Sequence, residues 1–322
     1  MSVRKNGFAL NGKSYITIQG FKVIKFSAGF NDWGNGSGIN NAISGSNYVT
    51  IRNNEVAYNR GMSKCAGMDI RYGASNSTIE NNYIHENLRS RGLLVGGSNT
   101  TVANNLLQKN GGTGIYMGGS SNMYIIGNTV LDHAGLHGNG MTAYQGCSNI
   151  LYFGNTVLRG SNALTTQAAN TITIAYNVFH TNQNTLCVAD WTSEGQHSPN
   201  LHYYNNVMMH PGGNALYTGG TGLIVKNNII DGWGDDETGS YNIYTSLCWN
   251  QYPSYGWYPG EGEIIEQDKS KVFVDAANFD FHLKSNSPAI DAGTNVGYSE
   301  DIEGNPVPSG SAVDIGAYEY QQ

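Results

Sequence analysis

Charge, cysteine and proline are all scarce in this chain of 322 residues. Only 13% of its residues are Asp, Glu, Lys or Arg, yet its apolar residues recur too regularly for a disordered chain. No run of about 18 apolar residues exists, which excludes a membrane-spanning helix. The opening MSVRKNGFAL lacks the long apolar stretch of a signal peptide and reads as half of a structural repeat, so the chain is expected to begin inside one. Cys65, Cys147, Cys187 and Cys248 have neither metal-ligand nor redox spacing, and free thiols are expected. There is no broad basic face of the kind nucleic acid requires. The net charge of −7 lies at one end: residues 261–322 hold 3 Lys+Arg and 12 Asp+Glu, while residues 1–260 hold 14 and 12.

What is plentiful is Gly (43), Tyr (21) and an Asn set between apolar residues at repeating intervals. Asn54, Asn82, Asn105, Asn128, Asn155, Asn177, Asn206 and Asn228 follow one another at steps of 28, 23, 23, 27, 22, 29 and 22. Three positions before each Asn stands a core candidate (Ile51, Ile79, Val102, Ile125, Tyr152, Ile174, Tyr203, Val225), and two positions after it stands another (Val56, Ile84, Leu107, Val130, Val157, Phe179, Met208, Ile230). A period in the twenties with short β-type segments marks a solenoid. Within Gly114–His133, Ile115 and Met117 alternate with Tyr116 as a strand does, and two more short strands follow, with Asn128 at a tight corner. The spacing predicts an all-β, right-handed parallel β-helix of three short strands per coil and roughly ten coils. The helix is expected over residues 1–246. An aromatic loop and an acidic cap packed on the helix are expected over 247–322. Repeated corner asparagines are structural: side-chain amides bridge coil to coil and satisfy backbone groups that the bend leaves unpaired.

This pattern resembles the pectate-lyase-like right-handed β-helix superfamily from Gly7 to about Ser246. The tail, with SPAIDAG at 287–293 and DIGAYEY at 314–320, is similar to the C-terminal segment of secreted bacterial β-helix proteins. The resemblance implies an extracellular or cell-surface location and a polysaccharide or oligosaccharide substrate. It leaves open lyase, hydrolase, epimerase and non-catalytic adhesin. A monomer is expected.

Long repeat steps place insertions beside the first strand of each coil, so that sheet and its flanking loops form a groove. Its outward positions read as Asn40, Asp69, Leu94, Tyr116, Thr142, Thr165, Cys187, Tyr217 and Tyr244, with Arg71, Tyr144 and Gln167 in a second row. Tyrosines along a groove suit stacking on sugar rings. Arg60, Lys64, Arg71, Arg89 and Arg91 fall within 32 positions on neighbouring coils, and stacked like charges favour a bound anion such as a uronate. For β-elimination, Lys64 is the expected base, its pKa lowered by nearby guanidinium groups. Arg71 is the carboxylate clamp, and Tyr116 or His137 is the acid for the leaving oxygen. Asp69, Arg89, Arg91, Tyr144, Asp190, Trp191, Tyr217 and Tyr244 are expected to contact substrate. The alternative is a glycoside hydrolase using Asp190 with Asp235, Asp236 or Glu237, or a non-catalytic glycan binder. The sequence identifies no certain cofactor; Ca²⁺ on Asp235, Asp236 and Glu237 is one metal alternative, and His133 with His137 has the i, i+4 spacing of a helical metal pair, although in a Gly-rich loop.

Overall fold

The computed structural model describes residues 6–26, 36–41, 45–60, 66–71, 74–88, 90–135, 137–182, 186–212, 214–232, 239–246 and 258–321. It is a right-handed parallel β-helix in which each coil gives one strand to each of three sheets, of nine, nine and eleven strands. Nine rungs are separated by eight steps, so there are about eight full turns rather than the roughly ten expected.

The coil around Tyr116 shows how sequence dictates path. Its strands are Ile115–Gly118, Ser121–Ile126 and Thr129–Leu131. Alternation turns Ile115 and Met117 inward and leaves Tyr116 half-exposed between them. Asn122 (φ 52) and Gly127 (φ 62) take the left-handed conformation that bends the chain, one at each end of the second strand. Inward positions stack into continuous apolar rows. Ile79, Val102, Ile125, Tyr152 and Ile174 line the second sheet, and Ile84, Leu107, Val130, Val157 and Phe179 the third, all of them buried. Each such side chain stabilises the stack by about 1.5–3 kcal/mol.

The Asn ladder forms as expected. Asn105 Nδ2 donates to Asn128 Oδ1 at 3.0 Å, and Asn128 Nδ2 to Asn155 Oδ1 at 3.0 Å. Backbone N–H groups of Asn105 and Asn128 donate to the same acceptors. The ladder gains one further rung, Asn242, which accepts from Asn228. A second buried ladder stands five residues further on. Asn59 Nδ2 donates to Asn87 Oδ1 at 3.0 Å, and Asn87 Nδ2 to Asn110 Oδ1 at 2.8 Å. His133 takes the next rung: its Nε2 lies 3.3 Å from the Leu107 carbonyl, as Asn110 Nδ2 lies 3.0 Å from that of Ile84. Glycine is required opposite these rungs. A Cβ on Gly114 would come within 2.6 Å of the Gly140 carbonyl and 3.0 Å of His133 Nε2.

At the C-terminal end the third sheet continues through Ile243–Ser246 and then Ile264–Ile265. Contrary to the expectation from sequence, Tyr244 does not face the groove. It turns into the core, buried, with its hydroxyl donating to Glu263 Oε1 at 2.8 Å. The remaining chain packs sideways on the outer face of the third sheet, where Val178, Val207, Met209 and Ile229 meet Phe273, Phe281, Leu283, Ile315 and Ala317. This tail has little regular structure, so buried carboxylates satisfy its backbone. Asp301 accepts from the N–H groups of Glu303, Asn305 and Glu319. Asp314 accepts from those of Asp291 and Tyr320, and Glu319 from those of Ser309 and Asp314. Burial pushes the Glu319 carboxyl up to about 7 against those donors. Among the described residues no helix is long and apolar enough to cross a membrane.

Candidate functional site

On the first sheet one outward row runs in register through Asn40, Asp69, Leu94, Tyr116, Thr142, Thr165, Ala189 and Tyr217. A second runs through Gly118, Tyr144, Gln167 and Trp191. A cavity of about 500 Å³ opens here, lined by Arg91, Thr113, Tyr116, His137, Asn139, Thr142, Tyr144, Asn162, Thr165, Thr166, Gln167 and Trp191. Arg91, Tyr116, His137, Tyr144 and Trp191, five of the site residues read from sequence, thus meet in one place.

At one end the Arg91 guanidinium lies 4.1 Å from the centre of the Tyr116 ring, and the Tyr144 ring centre is 6.3 Å further along. Burial pushes the Tyr116 phenol above its ordinary range, with Arg91 pulling it back. His137 reaches this end on the insertion after the third strand. It is exposed, has a left-handed backbone (φ 55), and its carbonyl accepts from Thr113 Oγ1 at 2.8 Å. The floor is neutral and polar. Thr142 and Thr165 hydroxyls are 2.8 Å apart, and Asn139 Nδ2 donates to both at 3.4 and 3.3 Å. At the other end Trp191 is 42% exposed and its ring centre is 6.0 Å from that of Tyr217, which packs on His197 at 5.2 Å.

Several expected site residues sit elsewhere or differently. Asp69 lies in the outward row yet is fully buried, because Arg71 covers it with a two-pronged ion pair, Nε donating to Oδ1 at 2.8 Å. Burial pushes the Asp69 carboxyl up, and the Arg71 fork opposes it. Arg71 is thereby engaged by a carboxylate of the protein and does not line the cavity. Asp190 belongs to the inward row, paired with Thr166, and is buried rather than exposed to the groove. It accepts from Thr166 Oγ1 at 2.7 Å, from the Ser198 N–H at 2.8 Å and from His197 Nδ1 at 3.0 Å, so it clasps the insertion behind Trp191 to the core. Cys187, read as outward, is buried, and Ala189 takes that place; Cys147 and Cys187 are free thiols. His133 is enclosed in the second ladder. Lys64, Arg89, Asp235, Asp236 and Glu237, with Cys65 and Cys248, lie outside the described residues. Among the described residues no group of three or more His, Cys, Asp or Glu side chains is placed to hold a metal.

The sequence reading did not single out Asn139 or Asn162, which line the cavity at the starts of consecutive coils. Their signal was the spacing: Asn139 and Asn162 are 23 residues apart, as are Thr142 and Thr165.

The family described as the right-handed β-helix region matches residues 6–165 and 93–230. The chain belongs to this family. No curated protein matches it in sequence. Among solved structures, this β-helix is similar to pectate lyase Pel9A, with TM-score 0.54, 15% identity, 98% of this chain and 73% of that one covered. It is also similar to XylC, solved with xylose, at TM-score 0.51 and 10% identity over 87% of this chain and 66% of the other. For the mannuronan C-5 epimerase AlgE4 A-module of Azotobacter vinelandii the TM-score is 0.44, at 16% identity, with 69% and 62% covered. The β-helix thus spans less than two thirds of the epimerase module and 66% of XylC. Identities this low show a shared fold.

Proposed function

We propose that this β-helix binds an acidic glycan in the first-sheet cavity and cleaves it by β-elimination next to a uronate. The observation that carries the reading is the composition of the lining. Arg91 and His137 stand at one end beside Tyr116, and no carboxylate is among the twelve described lining residues. A concave wall that carries a guanidinium and no carboxylate among its described lining residues suits an anion. The fold itself assigns no activity, although pectate lyase Pel9A and XylC are sugar-related by name.

The chemistry needs three groups. Arg91 neutralises the uronate carboxylate, which acidifies the proton at C5. His137, at the same end of the cavity, takes that proton. The electron pair forms the C4–C5 double bond as the C4–O4 bond breaks. Tyr116, whose half-buried phenol is raised above its ordinary range and keeps its proton at neutral pH, delivers it to the departing O4. Lys64, the base expected from sequence, lies outside the described residues.

The test is to incubate the protein with uronate-containing polysaccharides and follow ultraviolet absorbance of unsaturated chain ends. Absorbance should rise, with Tyr116→Phe lowering kcat about 10²–10⁴-fold and Arg91→Ala lowering kcat/KM further. New reducing ends without absorbance, or rates indifferent to both substitutions, would rule the reading out.

A further inference from the structure

We infer that the preferred ligand is a heteroglycan in which an acidic sugar is followed by neutral ones, and not a homopolyuronate. The inference rests on the acidic-glycan reading of the same cavity and adds the order of charge along it. From the Arg91 strand to the Trp191 strand the first sheet advances four rungs, about 19 Å at about 4.8 Å per rung. The cavity therefore holds several sugar rings laid along the helix axis. Its lining changes character over that length. Arg91, Tyr116 and His137 occupy one end; Thr142, Thr165 and Gln167 follow; Trp191 closes the other.

Among the described lining residues no Lys or Arg serves the second half. Between residues 138 and 190 the sequence contains a single Lys or Arg, Arg159. That guanidinium is ion-paired to Asp132 at 2.7 Å and lies over the Phe279 ring of the tail, on the third-sheet side of the molecule. Beneath the neutral end lies a carboxylate, Asp190, buried and bonded to Thr166 of the lining. A second or third uronate placed there would lose water without gaining a counter-charge, and would sit near a negative group. A neutral ring, by contrast, has hydroxyls to offer Thr142, Thr165 and Gln167, and an apolar face for Trp191. A homopolyuronate carries a carboxylate on every ring and matches only the Arg91 end.

Calorimetric titration of the whole chain tests this with three oligosaccharides of equal length: a homopolyuronate, a chain with one terminal uronate followed by neutral hexoses, and a neutral chain. The mixed chain should bind about ten-fold or more tightly than either other, the scale of one unpaired buried charge. Trp191→Ala should weaken the mixed and neutral chains, and Gln167→Lys should raise affinity for the homopolyuronate. Homopolyuronate binding as tight as the mixed chain, or no gain from Gln167→Lys, overturns the inference while leaving the acidic-glycan site standing, provided Arg91→Ala weakens both acidic chains. Acidic-chain binding indifferent to Arg91→Ala overturns the underlying reading instead.

Discussion

His133 stands in a rung that three earlier coils give to Asn59, Asn87 and Asn110, and that exchange has a pH consequence. Burial holds its imidazole down to about 4, against the Leu107 and Gly112 carbonyls that would favour the charged ring. The folded-state pKa lies below the unfolded one near 6.5, so the unfolded chain takes up the proton first. The stability difference is absent above about pH 6.5 and grows as pH falls toward 4. Between pH 7.5 and 5 it amounts to about 2 kcal/mol. His133→Asn restores the ladder chemistry and removes the titration. Thermal melts of the two proteins at both pH values should therefore show a smaller acid-induced drop for the variant. Glu319, raised to about 7, works in the opposite direction but is common to both proteins and cancels. Identical drops would place His133 in water. At this scale sequence reading handled alternation better than strand ends. Asp190 was expected to contact substrate; it lies inside the strand Val188–Trp191, on the inward parity. Nothing in the composition around Trp191 marks that boundary, because the punctuating Gly195 comes only four residues later.

Corner ladders hold coil to coil, and their strength depends on burial. Asn128 Nδ2 donates to Asn155 Oδ1 and to the carbonyls of Val102 and Ile126, while its Oδ1 accepts from Asn105. Asn128→Ala strands several of these groups away from water and should cost about 3–5 kcal/mol, at about 1–3 kcal/mol per unsatisfied group. The solvent-facing corner offers a control. Asn122 Nδ2 donates to Asn99 Oδ1 at 3.1 Å in an exposed ladder, so Asn122→Ala should cost no more than about 1–2 kcal/mol, mostly from its left-handed backbone. Urea midpoints of the two variants measure the contrast; equal losses would contradict it. The main ladder was legible because Asn between apolar residues repeats eight times at similar steps. The second ladder was not, because His133 breaks its series after three rungs. Tyr244 was misplaced for a related reason. The step from Asn228 to Asn242 is only 14 residues, shorter than every step before it, and it brings Tyr244 into register with Ile230 of the third sheet.

For the whole molecule, the solenoid and the tail form one body through the outer face of the third sheet. Phe281, 1% exposed, meets Phe273 edge to face at 5.2 Å between centroids, within the cluster that covers Val207 and Ile229. Phe281→Ala should cost about 3–5 kcal/mol and expose apolar strand surface, which a hydrophobic-dye melt would register as earlier binding. A variant as stable as the parent would mean that the tail is not part of the folded unit. The repeat made the fold and the position of the groove readable, since both follow from periodicity. Which charges remain available in the groove was not readable, because the Asp69–Arg71 pairing is a contact between side chains two residues apart that the repeat spacing does not announce.

The most direct test of the account is a crystal structure of the protein with a bound oligosaccharide carrying one uronate. Sugar rings should lie along the first sheet between Arg91 and Trp191, with the carboxylate within hydrogen-bond distance of the Arg91 guanidinium. Sugar bound on another face, or lying in the cavity with its carboxylate away from Arg91, would contradict the account.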